Sequence, residues 1–273
     1  MSGKLYIVAT PIGNLEDITL RALRILREVD LIAAEDTRQT LKLLNHFEIV
    51  KPLISYHRHN EEIKSDALIE KLKSGENIAL VSDAGTPGIC DPGEEVIKKA
   101  IGEDIEVIPI PGACAMINAL IASGIETKEF NFIGFLPLNK KLRKEKLEEI
   151  QKSEKTIIIY EAPHKMKSTL QDLKNILENR KIVLARELTK IHEEFIRKNI
   201  DEILNEIDNL KGEMILIIEG GLKTLEEENK LNNLTLEEHY NYYEKKGLEK
   251  KEIIKKIAKD RNVNKNEIYM KFI

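Results

Sequence analysis

Ile78-Ala-Leu-Val-Ser-Asp-Ala-Gly-Thr-Pro-Gly-Ile-Cys-Asp-Pro-Gly93 is the stretch on which the fold turns. Its first five residues, Ile78 to Ser82, form a short, mostly apolar run preceded by Gly75, and they read as a buried strand. The eleven residues that follow, Asp83 to Gly93, hold three glycines and two prolines. Glycine lets backbone approach a ligand closely, and proline stiffens a loop without donating hydrogen bonds. In open α/β sheets ligands bind beyond the carboxyl ends of the strands, and this loop leaves such an end. The alternative is an elaborate turn, but its glycines and prolines exceed what a connection demands.

The same grammar recurs on either side. Leu5-Tyr-Ile-Val-Ala-Thr10 reads as a strand, followed by the loop Pro11 to Asp17. Asp17 is placed to cap a helix whose apolar residues Leu20, Leu23, Ile25, Leu26 and Val29 approximate one face. Leu31-Ile-Ala-Ala34 is a second strand, ending in Glu35-Asp-Thr-Arg38. Helical spacing at Ala67, Leu68 and Leu72 is stopped by Gly75. Glu106-Val-Ile-Pro-Ile110 ends at Pro111-Gly-Ala-Cys-Ala115. Such alternation predicts a mostly parallel sheet with helices on its faces.

From about residue 130 the pattern changes. Strand-like runs lie at Phe130–Phe135, Thr156–Tyr160, Lys181–Ala185, Glu194–Lys198 and Met214–Glu219. The short polar stretch between the third and fourth favours an antiparallel pair, and so a mixed sheet. The expected fold class is therefore α/β with two lobes, 1–124 and 125–222, and a helical module at 234–273. Leu222 to Asn233, polar and acid-rich, reads as a linker. In the module Thr235 and Glu238 have capping-box spacing, and Gly247 suits a left-handed helix end. Ile253, Ile254, Ile257 and Ala258 make one apolar stripe, and Asn264 with Glu267 can open a further short helix.

Composition excludes several classes. With 42% hydrophobic and 33% charged residues in 273, the chain has an ordinary globular balance, unlike disordered or fibrous sequences. No run approaches the roughly eighteen apolar residues of a membrane span. Met1-Ser-Gly-Lys4 leads straight into a strand-like run and Pro11, too short for a signal-peptide core. We expect a soluble, cytoplasmic protein with no membrane partner. Cys90 and Cys114 are too few for a disulfide scaffold and lack metal-ligand spacing, so no metal is expected.

The net charge of −4 conceals a split. Residues 244–273 hold ten Lys or Arg against five Asp or Glu, a net of +5, which leaves −9 on the first 243 residues. A basic tail on an acidic body favours a polyanion contact; the alternative is a solvated lysine-rich helix.

The chain has no P-loop lysine motif, no G-x-G-x-x-G after a strand, no G-x-S-x-G and no H-E-x-x-H. The glycine- and proline-rich loop must serve another ligand. Seven motifs then occur in order: Leu5–Ile18, Ala34-Glu-Asp-Thr-Arg38, Val81–Gly93, Pro111-Gly-Ala-Cys-Ala115, Phe132-Ile-Gly-Phe-Leu-Pro137, Tyr160-Glu-Ala-Pro-His164 and Ala185-Arg-Glu-Leu-Thr-Lys190. Together, over essentially the whole chain, they resemble the 16S rRNA cytidine 2′-O-methyltransferases of the tetrapyrrole methylase superfamily.

That resemblance implies a two-lobed enzyme, usually a homodimer, binding S-adenosylmethionine in the cleft between its lobes. It implies cofactor contacts from Asp83, Ala84, Gly85, Thr86 and Ile89, from Pro11, from Cys114 and Ala115, from Tyr160 and Ala162, and from Leu188. Position 114 more often carries a small hydroxyl residue in the superfamily, so no role is given to the Cys114 side chain. The implied substrate is 16S rRNA, presented within the small ribosomal subunit, because an acidic body with a local basic tail suits shape-guided docking better than a grip on free RNA.

Methyl transfer to a ribose hydroxyl needs alignment of the reacting atoms and is helped by a base. Glu161 and His164 are the candidates; alternatively Glu161 binds a loop amide, and His164 caps a helix or touches a phosphate. Arg38, Arg186 and Lys190 follow strand ends and suit RNA phosphates, or else pair with Asp36, Glu35 or Glu187. His57, Arg58 and His59 form a further basic loop. Two other readings stand beside this one: a tetrapyrrole-type or diphthine-type methyltransferase of the same superfamily, and a non-catalytic ribosome-assembly factor.

Overall fold

Alternate side chains of the central strands divide two hydrophobic cores between them. In β1 (Leu5–Val8), β2 (Leu31–Ala34) and β4 (Ile78–Val81), the residues Leu5, Ile7, Leu31, Ala33, Ile78 and Leu80 enter one core. Val8, Ile32, Ala34, Ala79 and Val81 enter the other. Burial on both faces is the reason these strands read as continuous apolar runs, as parallel strands covered by helices do. Each large aliphatic side chain so buried contributes about 1.5–3 kcal/mol.

The structure, a computed structural model, describes residues 2–177, 180–221, 231, 233–261 and 263–272. Two compact units are present: Met1–Gln151 with Lys155–Glu219, and Lys152–Glu154 with Gly220–Ile273. The first unit contains two five-stranded sheets. One is wholly parallel, in the order β3-β2-β4-β1-β5, where β3 is Leu53–Ser55 and β5 is Val107–Ile110. Helices α1 (Leu20–Glu28) and α2 (Thr37–His46) supply Ala22, Ile25, Leu26 and Leu44 to one face. α3 (Glu61–Lys73) and α4 (Glu94–Gly102) supply Leu68, Ile69, Leu72, Val96 and Ala100 to the other.

The second sheet has the order β6-β7-β10-β8-β9: β6 Phe130–Phe135, β7 Thr156–Glu161, β8 Ile182–Arg186, β9 Glu194–Ile196 and β10 Met214–Ile218. β6 runs parallel to β7 and the other pairs are antiparallel, so the sheet is mixed, and β8 and β9 form the expected antiparallel pair. α6 (Lys140–Lys152), α7 (Pro163–Lys174) and α8 (Ile200–Glu206) cover one face through Ile150, Met166, Leu170, Leu173 and Ile203. On the opposite face Ile158, Val183, Ile215 and Ile217 meet Ala119 and Leu120 of α5 (Ala115–Ser123) and Ile12 from the loop after β1. Thus α5 and Ile12 carry the first lobe onto the second.

Two local expectations need correction. Thr19, not Asp17, caps α1: its hydroxyl accepts the Ala22 N–H at 3.1 Å. Asp17 is drawn instead into a 3₁₀ turn, Leu15–Asp17, capped by Asn14. The sequence pattern anticipates neither β3 nor α2. β3 is a three-residue, half-buried edge strand, too short to show periodicity, and α2 begins inside the Glu35–Arg38 motif, where Asp36 accepts the Arg38 N–H as its N-cap.

The second unit is helical. α9 (Leu236–Lys245) opens with the Thr235–Glu238 capping box, and Gly247 follows it with φ of +81°. α10 (Lys250–Asp260) buries Ile253, Ile254, Ile257 and Ala258 against Tyr243 and against Ile268 of α11 (Lys265–Tyr269), which Asn264 caps. The buried His239 lies 3.3 Å from Asp260 through Nε2 and accepts from Arg261 Nε at 3.1 Å through Nδ1. Most of the expected linker at 222–233 lies outside the described residues.

Candidate active site between two sheets

Four loops leaving the carboxyl ends of the parallel strands are tied to one another by hydrogen bonds. After β1, Thr10 and Gly85 exchange both backbone bonds, Thr10 N–H to Gly85 O at 2.9 Å and Gly85 N–H to Thr10 O at 3.1 Å. The Thr10 hydroxyl also donates to Ser82 O at 3.1 Å. After β5, Ala113 O accepts the Thr86 hydroxyl at 3.1 Å. After β2, the Asp36 N–H donates to Asp83 Oδ1 at 3.0 Å. The Asp83–Gly93 loop is thereby fixed to three neighbours.

Over these loops sits a cavity of about 290 Å³. Its wall from the first sheet is Ile12, Glu35, Asp83, Ala84, Gly85, Thr86, Ile89, Cys90, Asp91, Cys114 and Ala115; the second sheet adds Phe135, Tyr160 and Glu213. Tyr160 connects the two lobes. Its hydroxyl accepts the Met116 N–H of α5 at 3.0 Å, in place of the side-chain cap that Cys114 does not provide. Its ring packs edge-on against Phe132 and Phe135, at 4.9 and 5.9 Å between centroids. Burial pushes the Tyr160 phenol above its ordinary range, so it stays neutral.

Three carboxylates of the cavity, Glu35, Asp83 and Asp91, are desolvated. Burial is the first cause that pushes Glu35 and Asp83 upward. Asp91 is pushed up to about 6 by burial and by the neighbouring Glu35 charge. By contrast Asp36, outside the cavity, is held down at about 2 by the Arg38 guanidinium, which it binds through both oxygens.

Asp83, Ala84, Gly85, Thr86, Ile89, Cys114, Ala115 and Tyr160, all anticipated as cofactor contacts, are brought together in this lining. Pro11, Ala162 and Leu188 are not among the lining residues. Pro11 lies between the Thr10 bridge and Ile12, Ala162 is the N-cap of α7, and Leu188 is buried in the core that holds Ile12. Neither candidate base lines the cavity. Glu161 is buried, its Oε1 accepting the Ala162 N–H at 2.9 Å and its Oε2 the Thr169 hydroxyl at 2.6 Å. One oxygen holds the N-cap of α7 and the other its middle. His164 is exposed on the first turn of that helix.

The three candidate phosphate ligands are each paired with carboxylates. Arg38 holds Asp36, Arg186 holds Glu194 at 2.7 Å, and Lys190 holds Glu187 at 2.9 Å and Glu213 at 3.1 Å. His57 binds Asn60, and Arg58 donates to the carbonyl of Cys90. Sequence reasoning does not single out Ile12, Glu35, Cys90, Asp91, Phe135 or Glu213. All but Glu213 lie inside the seven motifs, so periodicity and loop composition locate the segments without saying which side chains face inward.

Among the described residues, no group of three or more His, Cys, Asp or Glu is arranged to hold a metal ion, and no helix is long and apolar enough to cross a membrane. The lining instead suits an organic cation: apolar and aromatic groups stand beside four carboxylates, and Gly85, at φ +85°, leaves a backbone cradle where a Cβ would meet Ile12 Cγ2 at 3.2 Å.

Comparisons with known proteins agree with this architecture. A family model described as tetrapyrrole (corrin/porphyrin) methylases matches residues 4–204. Proteins named ribosomal RNA small subunit methyltransferase I from Halalkalibacterium halodurans and Bacillus subtilis are each 53% identical, over 98% of this chain and 93% of theirs. Among solved structures, a uroporphyrin-III C-methyltransferase from Thermus thermophilus complexed with S-adenosyl homocysteine superposes with TM-score 0.58 at 15% identity, covering 80% of this chain and 97% of that one. A diphthine synthase superposes with TM-score 0.62 at 15% identity, covering 80% and 90%. On the family match and on these near-full-length relatives, the chain belongs to the tetrapyrrole methylase family.

Proposed function

We propose that this chain is an S-adenosylmethionine-dependent ribosomal RNA methyltransferase that methylates the ribose 2′-oxygen of a cytidine in the decoding region of 16S rRNA. The observation that carries the RNA substrate is the 53% identity, over 98% of the chain, to relatives named as small-subunit rRNA methyltransferases. Likeness to the tetrapyrrole and diphthine enzymes, at 15% identity, speaks for the fold alone. Methylases of this family take their methyl group from S-adenosylmethionine, whose sulfonium supplies an activated methyl group.

This chain's residues have separate tasks around that group. Asp83, Ala84, Gly85, Thr86 and Ile89 would hold it from one side, and Cys114, Ala115 and Tyr160 from the others. Pro11 and Leu188 would act through Ile12, which packs beside them, and Ala162 through the start of α7. Tyr160, with the Phe135 ring packed edge-on against it, makes the wall less polar, which strengthens the attraction between a bound cation and the carboxylates of Glu35 and Asp83. Glu161 acts as a positioning residue for α7, and His164 remains available at the surface.

Phosphates of the RNA would exchange with Asp36, Glu194, Glu187 and Glu213 for Arg38, Arg186 and Lys190, a trade between two anions that needs little reorganisation of the cation. The substrate is the small ribosomal subunit and the enzyme is a cytoplasmic homodimer in this reading; Ile117 and Ile121, one turn apart on α5 and 37% and 68% exposed, offer apolar surface for a second copy. Incubation with labelled cofactor and small subunits from cells lacking the protein tests the proposal. Label in a 2′-O-methylcytidine of 16S rRNA is expected; label on a base, or on no RNA, refutes it.

A further inference from the structure

Neither Glu161 nor His164 reaches the cavity, so the hydroxyl proton of a ribose bound there must go elsewhere. Three carboxylates from the parallel sheet line the cavity: Glu35, Asp83 and Asp91. Asp83 is occupied by the Asp36 N–H, and Glu35 lies 3.4 Å from the Asp83 N–H. Asp91 stands apart in how its backbone is held.

The residue before it, Cys90, has a φ of +63°, a left-handed conformation that a side chain other than glycine adopts at a cost. The Arg58 guanidinium donates to the Cys90 carbonyl, the acceptor of the peptide unit that carries the Asp91 nitrogen. On the other side Cys90 Sγ lies against β6 so closely that a Cβ on Gly134 would be 2.8 Å from it. Strain, clamp and close approach thus converge on one peptide unit, and the side chain that follows it faces the cavity.

Resting on the proposed ribose methylation, we infer that Asp91 is the general base of this enzyme. Its carboxylate takes the proton from the ribose 2′-hydroxyl as the oxygen bonds to the methyl carbon. The sulfur–methyl bond breaks, and its electron pair stays on sulfur as a neutral thioether. One proton moves to Asp91, one methyl group moves to oxygen, and no other reactant is consumed. The groups facing Asp91 are Glu35 and Asp83 from the strand ends, Arg58 from the loop after β3, and Tyr160 from β7. Burial first, and then the Glu35 charge, push Asp91 up to about 6, in the range where a base accepts a proton and still releases it.

The test compares wild-type enzyme with Asp91→Asn in single turnover on unmodified small subunits, with S-adenosylhomocysteine affinity measured by calorimetry. The variant should lose about 10²- to 10⁴-fold in rate while keeping its affinity within about threefold. The wild-type rate should rise with pH through an apparent pKa near 6 and level off, a limb absent from the variant. Should Asp91→Asn fail to fold, carboxyl carbon NMR of the wild-type apoprotein decides: Asp91 must titrate well above the ordinary 3.8. A variant as fast as wild type, a variant that loses cofactor affinity while folded, or an ordinary Asp91 titration overturns the inference. Wild-type enzyme that labels no ribose overturns the functional reading beneath it instead, and is recognised by failing before any variant is made.

Discussion

Thr10 and Gly85 face each other across an isolated two-bond bridge, each backbone N–H donating to the other's carbonyl, at 2.9 and 3.1 Å. The bridge joins the loops of β1 and β4, and it requires Gly85 at φ +85° with Ile12 directly above.

Gly85→Val would place a β-branched side chain in the left-handed region, at a cost of about 1–2 kcal/mol, and drive it against Ile12. Calorimetry with S-adenosylhomocysteine should register a fall in affinity of about tenfold or more, since about 1.4 kcal/mol is tenfold. Circular dichroism should still report a folded chain. Unchanged affinity would move the ligand away from this loop.

Gly134→Ala meets Cys90 Sγ at 2.8 Å and adopts φ of +70°, so it should destabilise by about 1–3 kcal/mol in urea denaturation. Cys90→Ala in the same chain removes the sulfur. The double variant should recover part of that stability, whereas strictly additive effects would deny that the two residues are coupled.

Asp91 also predicts a trade between stability and activity. Its folded pKa, about 6, lies above the unfolded value near 3.8, so the folded state binds more protons between these limits. The advantage is full below the lower value and is lost as pH rises through the upper one. Asp91→Asn should therefore unfold at higher urea than wild type at pH 7, with a smaller difference near pH 4. Equal gains at both pH values would remove the desolvated carboxylate from the account.

The helical module yields a salt-dependent prediction. Lys251, Lys255 and Lys259 are exposed and recur every four residues along α10, hence on one face. If this face meets rRNA, replacing all three with Glu should weaken subunit binding and flatten its salt dependence, by about 0.7–0.9 in log–log slope for each phosphate no longer neutralised. Cofactor affinity should not move. An unaltered salt slope would leave the face merely solvated.

The two sheets are legible in the sequence because burial on both faces leaves apolar runs such as Ile78–Val81 and Met214–Ile218 with little ambiguity. β3 is not, because Leu53–Ser55 is short and half-buried, and its pairing with β2 is a tertiary event. Motifs locate the site but not its side chains. Glu161 and Tyr160 are adjacent on β7, so their side chains leave opposite faces, and only the sheet's placement shows that Tyr160 has the cavity while Glu161 has Thr169. Asp91 is hidden within the Asp83–Gly93 loop for the same reason: its direction depends on Cys90, Arg58 and Gly134, contributed by three separate segments.

Ribose-methylation mapping of 16S rRNA, in cells with and without this protein, tests the central claim most directly. The account predicts that one 2′-O-methylcytidine in the decoding region disappears on deletion and returns with the wild-type gene but not with Gly85→Val. Persistence of every 2′-O-methylcytidine in the deleted cells would contradict it.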